Sequence, residues 1–141
     1  MKLVTSIACL TCLISLCGTA RAAEPDYQKF YRQGVEANKQ GKLDQAISYY
    51  SQAIALKPKT APLYFVRGRA YKQHGDLDKA IADLTHAIAL KADYAEAYNN
   101  RGVAYIGKKL AKNAQADFKK ACELGSKEGC ANAQKLAAIR K

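Results

Sequence analysis

Residues 61–94 read APLYFVRGRAYKQHGDLDKAIADLTHAIALKADY, and the pattern of this stretch recurs once before it and once after it. A shift of 34 residues in either direction superposes Gly68 on another glycine, Ala80 and Ala87 on further alanines, and Leu90 on a leucine. Small and large residues therefore keep their own places in a fixed register. A period of this length is typical of stacked repeats, in which no unit buries its apolar face without a neighbour.

The period divides the chain into three units, over residues 27–60, 61–94 and 95–128. Each unit predicts two antiparallel helices joined by a turn, and in the first unit we expect the helices over residues 27–40 and 43–56. The recurring glycine lies in the middle of the first helix of each unit, where glycine costs about 1 kcal/mol relative to alanine. We therefore expect the second helix to approach the first closely at this position. The remaining residues, 129–141, predict one further capping helix, amphipathic from about residue 131.

An aromatic residue stands four places before each of these glycines, and a tyrosine follows three places after it in the second and third units. Together with the later alanines and Pro58, this pattern resembles the tetratricopeptide repeat. The resemblance implies an all-α fold, namely a right-handed α-solenoid of three helix-turn-helix repeats and a C-terminal capping helix. It also implies an adaptor without enzymatic activity that binds a protein or peptide in a concave groove lined by the first helices. The residues that the resemblance assigns to this groove are Gln28, Tyr31, Val35, Asn38, Lys39, Phe65, Arg69, Lys72, Gln73, Glu96, Asn99, Val103 and Ile106.

One subtype of the family grips chaperone C-termini with a carboxylate clamp of Lys and Asn side chains. Tyr31, Val35 and Val66 stand at three places of that clamp in this sequence, so we expect no docking of this kind. The aromatic, amide and basic groups of the groove instead favour an extended or helical peptide of acidic character. The alternative is that these residues form ordinary solvated helix faces.

The first 22 residues predict a secretory signal. Lys2 precedes an uncharged, mostly apolar run over residues 3–16, and Ala20-Arg21-Ala22 offers the small residues that a signal peptidase reads. A bilayer-spanning helix needs about 20 residues, so we expect cleavage before Ala23 and export to the periplasm, with no stable membrane span. A lipid anchor on Cys17 is an alternative, although Leu16 stands where lipidation wants a small residue.

The formal net charge of the chain is +11. A basic chain favours acidic partners, anionic surfaces or nucleic acid, and export argues against nucleic acid. Because the basic residues fall at many different positions of the repeat, we expect most of them to form a solvated surface.

Cys122 and Cys130 are the two cysteines that remain after cleavage, and in an exported chain such a pair predicts a disulfide. Gly125 and Gly129 are expected to let the chain reverse between them. The pair resembles that of Sel1-like exported helical repeats, where it joins adjacent helices. A redox-active pair and a metal site are alternatives, but the first favours Cys-x-x-Cys spacing and the second needs more than two ligands.

No recognisable catalytic set occurs in the sequence. It contains no Ser-His-Asp arrangement, phosphate-binding loop or dinucleotide-binding glycine run, and neither His74 nor His86 has a partner at metal-binding spacing. We therefore expect no enzymatic activity, no cofactor and no metal site. A structural subunit of a larger envelope or secretion assembly is the main alternative to an adaptor, and the oligomeric state is open.

Overall fold

The computed structural model describes residues 26–139, which form seven α-helices and no strand. The expected signal over residues 1–22 lies outside the described residues. The helices are α1 (Asp26–Lys39), α2 (Leu43–Leu56), α3 (Ala61–His74), α4 (Leu77–Leu90), α5 (Ala95–Gly107), α6 (Ala111–Glu123) and α7 (Lys127–Ile139). Each helix packs against the next along the chain, and α5 also contacts α3 and α7. The expected all-α solenoid of stacked helix pairs is confirmed.

The turn inside each unit needs a left-handed backbone conformation. Gly41 and Gly75 adopt it with φ of 72° and 95°, and Lys109 adopts it at the equivalent place of the third unit with φ of 61°. A residue other than glycine adopts this conformation at a cost of roughly 1–2 kcal/mol. The helix pair of the third unit therefore keeps the turn of the other units even without the glycine.

The second helix of each unit lies directly on the mid-helix glycine of the first. A Cβ atom on Gly102 would come within 2.6 Å of Phe118 Cε1, and one on Gly34 within 2.5 Å of Tyr50 Cε1. In the second unit, a Cβ atom on Gly68 would lie 3.0 Å from a leucine side chain on α4. A Cβ atom would therefore overlap these side chains at Gly34 and Gly102 and would be tight at Gly68, so the expected close approach is confirmed.

An arginine in the second unit joins three helices. Arg67 on α3 donates two hydrogen bonds to the carboxylate of Asp83 on α4, at 2.7 and 2.8 Å, and a third to Ser51 Oγ on α2 at 3.0 Å. Hydrogen bonding to the carboxylate raises the pKa of Arg67, with burial acting in the opposite direction. Because α2 belongs to the first unit, this arginine connects two adjacent units.

The same arrangement recurs 34 residues later. Arg101 donates to both oxygens of Asp117, at 2.8 Å each, and to Thr85 Oγ1 at 3.0 Å. The side chains of Arg67 and Arg101 are only 20% and 16% exposed. The expectation of a scattered, solvated basic surface is therefore wrong for these two residues, because they share one repeat position and are held inside by buried carboxylates.

The C-terminal helix begins at Lys127, before the start that the sequence pattern suggests. Ser126 Oγ accepts a hydrogen bond from the backbone N–H of Gly129 at 3.0 Å, which caps the helix at its first turn. Gly129 is buried inside α7, and a Cβ atom there would lie 2.6 Å from Ala121 Cβ on α6. The expectation that Gly129 takes part in the chain reversal is wrong, since Gly125 with φ of 90° makes the turn.

A disulfide between Cys122 and Cys130 joins α6 to α7 in the structure, with 4.5 Å between the Cα atoms. The structure thus brings the two cysteines together between α6 and α7, and the bond itself stays a prediction. No helix within residues 26–139 is long and apolar enough to cross a membrane.

Removing the carboxylate that pairs with the half-buried Arg101 should destabilise the fold more than removing the carboxylate of an exposed ion pair. Asp117→Ala leaves the half-buried Arg101 charged and without its carboxylate, and should lower the free energy of unfolding by about 2–3 kcal/mol. The control is Asp78→Ala, which breaks an exposed ion pair with Lys108 and should cost less than about 1 kcal/mol. Urea denaturation followed by circular dichroism measures both. Equal losses would show that the Arg101–Asp117 pair contributes no more than a surface ion pair.

Candidate peptide-binding groove

Three depressions lie along the face formed by α1, α3, α5 and α7, and we call this face the groove. The first depression lies between α1 and α3 and has a volume of about 290 Å³. Tyrosine and valine side chains line it together with amide and basic groups, so its character is mixed. Its lining residues are Tyr31, Val35, Asn38, Lys39, Tyr50, Val66 and Arg69.

The second depression lies between α3 and α5 and ends at the first turn of α7. It has a volume of about 460 Å³ and is mainly polar. Arg69 also lines the first depression, so the two are continuous. The lining residues of the second depression are Phe65, Arg69, Lys72, Gln73, Glu96, Asn99, Asn100 and Glu128.

The third depression lies between α5 and α7, has a volume of about 220 Å³ and is mostly apolar. Asn132 lines this depression and donates a hydrogen bond of 2.9 Å to Asn99 Oδ1 in the second depression. The two depressions therefore meet at this bond. The lining residues of the third depression are Val103, Ile106, Phe118, Asn132, Lys135, Leu136 and Ile139.

Twelve of the thirteen groove residues expected from the sequence line these three depressions. The remaining one, Gln28, lines a fourth, mostly apolar depression of about 380 Å³ beside Tyr27 and Leu63, which shares Tyr31 with the first depression. Asn99 is only 2% exposed, because α7 covers it and Asn132 bonds to it. The structure thus shows where these residues lie, and their part in binding stays a prediction.

Arg69 is the most accessible cation of the second depression. Its side chain is exposed, and its guanidinium carbon lies 5.7 Å from the centre of the Phe65 ring. That ring in turn packs on Tyr94, with 4.8 Å between ring centres. Among residues 26–139, no carboxylate forms an ion pair with Arg69, in contrast to Arg67 and Arg101.

Lys72 is the second cation here, and its ammonium group is half-buried. Its Nζ donates to Asn100 Oδ1 at 2.6 Å, and no carboxylate of the described chain pairs with it. Burial lowers the pKa of Lys72, the charge of Arg69 lowers it further, and Glu128 acts in the opposite direction. Two cations held together without an ion-paired carboxylate favour an anionic ligand.

The floor of the first depression carries neutral hydrogen-bonding groups. Burial raises the pKa of Tyr50 to about 12, with Tyr31 contributing, so its hydroxyl stays protonated at neutral pH. Asn38 Oδ1 is buried and has no hydrogen-bond partner within the described residues. The floor of this depression therefore combines apolar side chains with uncharged polar groups, and the cations Lys39 and Arg69 complete the lining.

Asn100, Glu128 and Asn132 also belong to the groove, although the sequence analysis does not assign them to it. Asn100 stands one turn after Glu96, on the same face of α5, so helical spacing could have indicated it. Glu128 and Asn132 lie on α7, whose packing against α5 no repeat position predicts.

Sequence comparison gives the family of the chain. A family model of the TPR repeat matches residues 36–75 and 68–108, and a tetratricopeptide repeat model matches residues 95–126. The chain belongs to the tetratricopeptide repeat (TPR) family. The same matches give no support to the Sel1-like resemblance of the cysteine pair. No curated protein matches this chain significantly.

Several solved TPR domains share the fold. The Arabidopsis OM64 TPR domain has a TM-score of 0.78 and 26% identity, covering 81% of this chain and 96% of that chain. The first TPR of Spaghetti (RPAP3), bound to the HSP90 peptide SRMEEVD, has a TM-score of 0.77 and 27% identity, covering 82% and 94%. The second TPR domain of human RPAP3, in complex with the HSP70 peptide SGPTIEEVD, has a TM-score of 0.71 and 27% identity, covering 79% and 98%.

Proposed function

We propose that this TPR protein is an exported adaptor without enzymatic activity, and that its groove binds a protein or peptide partner. The observation that carries the proposal is the pair of cations in the second depression, Arg69 and Lys72, beside the half-buried ring of Phe65. Aromatic and arginine side chains often dominate the energy of protein interfaces. The peptide complexes of the two RPAP3 domains support the same kind of ligand.

The ligand of this groove differs from the chaperone tails in those complexes. Tyr31, Val35 and Val66 stand where the carboxylate clamp needs cationic and amide groups, and in the structure they line the first depression. Lys39 and Arg69 line the same depression, but neither stands at one of these three clamp positions.

The histidines support a role without catalysis, because both make structural contacts outside the three depressions. His74 at the end of α3 lies 3.1 Å from Asp44 on α2, and His86 packs on the Tyr64 ring with 4.2 Å between ring centres. Within residues 26–139, no group of three or more His, Cys, Asp or Glu side chains could hold a metal ion.

Export to the periplasm is part of the proposal, and the sequence of residues 1–22 supports it. The cysteine pair agrees with it, since disulfides persist in oxidising compartments. Intact-mass measurement of the exported protein, without reduction, should give a chain that starts at Ala23 and has lost the two thiol hydrogens of Cys122 and Cys130. A mass that retains Met1, a diacylated Cys17 or two free thiols would contradict these expectations.

A structural subunit of an envelope or secretion assembly is the second candidate. The depression beside Tyr27 and Leu63 favours it, because it is mostly apolar and lies at the edge of the first unit, where a neighbouring subunit could pack. Size-exclusion chromatography with light scattering separates the two candidates, since an adaptor with a free groove is expected to be a monomer and the alternative a larger assembly.

A charge reversal in the groove should abolish capture of the partner. Arg69→Glu replaces the exposed cation of the second depression and should remove the partner from affinity captures of envelope extract, with an unchanged helical circular-dichroism spectrum. A truncated interface anchor of this kind typically costs about 2 kcal/mol or more. Higher salt should weaken capture by the unaltered protein, because exposed charges are screened.

The matched control is Lys112→Glu in the first turn of α6. This residue is exposed, lies outside the groove, and stands where the other two units carry Asp44 and Asp78. The acidic replacement therefore suits the local structure, and capture should persist. If both reversals abolish capture, or neither does, the groove is not the binding surface.

A further inference from the structure

The turn of the third unit departs from the repeat pattern at two consecutive places. Lys109 stands where the other units carry Gly41 and Gly75, and it adopts the left-handed backbone conformation that those glycines adopt. Leu110 precedes α6 at the place of Asp76, whose side chain caps α4 by accepting a hydrogen bond from a backbone N–H. Leu110 gives α6 no such cap.

A third departure follows in the first turn of α6. Lys112 stands where α2 and α4 carry Asp44 and Asp78. An acidic residue near a helix N-terminus stabilises the helix, and a cation there has the opposite effect. Compared with the second unit, each of the three exchanges therefore weakens the local structure and introduces a cation or a large apolar side chain. Departures from local rules are typical of functional sites.

Large apolar side chains are exposed beside this turn. Leu110 is 42% exposed, and Ile106 at the end of α5 is 41% exposed. Ile139 at the end of α7 is 72% exposed and lines the third depression together with Ile106. The first two units carry Asn38 and Lys72 at the place of Ile106. The apolar side chain at this place is therefore specific to the third unit.

Three lysines at this end of the fold have no acidic partner. Among residues 26–139, no carboxylate forms an ion pair with Lys109, Lys112 or Lys135. The neighbouring Lys108 differs, because it pairs with Asp78. The charges of the three unpaired lysines are therefore available to an external anion.

The contacts of the turn bring these groups to one edge of the fold. The backbone N–H of Lys109 donates to Ile106 O at 2.9 Å, so the turn folds back on the end of α5. The last turn of α7 reaches the same place, because Ile139 and Lys135 line one depression with Ile106. We call this surface the basic edge, and its members are Ile106, Lys109, Leu110, Lys112, Lys135 and Ile139.

Unpaired cations beside exposed apolar side chains fit the headgroup layer of an anionic bilayer. Lysines are attracted to such a layer, and apolar side chains gain by entering the boundary between headgroups and acyl chains. A soluble polyanion would bind the lysines but leave the leucine and isoleucine side chains in water. Side chains that project from a turn and a helix end enter a fluid layer without needing a matching pocket.

We propose that the basic edge binds the surface of an anionic lipid bilayer. Leu110 and Ile139 enter the headgroup region, and Lys109, Lys112 and Lys135 bind the lipid phosphates. This inference goes beyond the proposed function and does not depend on it. The first and second depressions contribute no residue to the basic edge, so a partner held there leaves the basic edge uncovered.

The test is flotation with vesicles made of equal parts of phosphatidylglycerol and phosphatidylcholine. The exported form of the chain is used, because the apolar run of residues 3–16 would compete as a lipid-binding segment. The protein should float with these vesicles but not with pure phosphatidylcholine, and higher salt should reduce flotation. Absence of flotation with the anionic vesicles would overturn this inference and leave the proposed function of the groove untouched.

Lys109→Gly removes one cation and restores the glycine of the other two turns. Titration with the anionic vesicles should show binding weakened about fivefold, because one lysine has left the lipid surface. The midpoint of urea unfolding should rise, since glycine adopts this backbone conformation without strain. Weaker lipid binding by a more stable protein excludes misfolding as its cause. Unchanged lipid binding would contradict the role of the turn.

Lys112→Glu should weaken binding to the anionic vesicles by about fivefold or more. The matched control is Lys59→Glu in the loop between α2 and α3, at the other ends of the helices. This control changes the net charge by the same amount, and Asp93 stands at its place in the second unit. The control should keep its lipid binding. Equal losses would show that overall charge sets the binding, and would overturn the assignment to the basic edge.

Leu110→Ser tests the apolar contribution, because it leaves the net charge unchanged and supplies a residue that favours the cap of α6. It should weaken binding to the anionic vesicles about fivefold. The matched control is Leu56→Ser at the end of α2, where the leucine is 47% exposed and lies outside the basic edge. That control should bind as before. If Lys109→Gly weakens binding and Leu110→Ser does not, the surface binds polyanions by charge alone, and the assignment to a lipid bilayer is wrong.

Discussion

The contact between the mid-helix glycine and the large side chain sixteen residues later sets the geometry of every unit. Gly34 meets Tyr50, Gly68 meets Leu84 and Gly102 meets Phe118. The second helix of the unit covers one side of the first helix at this contact. The opposite side of the first helix is therefore left uncovered by its partner. Stacked units then place those free sides next to one another, and the three depressions form between them.

The arginines divide into two classes by their partners. Arg67 and Arg101 are half-buried, and each is hydrogen-bonded to a carboxylate of its own unit and to a hydroxyl of the preceding unit, so they hold adjacent units together. Arg69 lies two residues after Arg67 on the same helix, yet it lines the groove, and its guanidinium lies near the Phe65 ring. In the first unit, Gln33 stands at the place of the buried arginines, and its Oε1 is buried without a hydrogen-bond partner in the described chain. That unit relies instead on aromatic packing, such as Tyr31 against Tyr50.

The sequence predicts the helices, the close approach at the glycines and most of the groove lining, because these features depend on local spacing that repeats. The carboxylate partners of Arg67 and Arg101 are harder to predict, since each lies on another helix and its burial depends on how the helices pack. The C-terminal helix shows the same limit. Its start depends on the Ser126 cap, and its position brings Glu128 and Asn132 into the groove although the repeat pattern assigns them no place there.

The central claim is that the partner lies along the groove, on the first helices and not on the second. Amide chemical-shift mapping of the exported protein with a bound peptide tests this claim most directly. The largest changes should fall on α1, α3 and α5 and on the first two turns of α7, with little change on the outer sides of α2, α4 and α6. Changes concentrated on α2, α4 and α6, or confined to the edge beside Tyr27, would contradict the account.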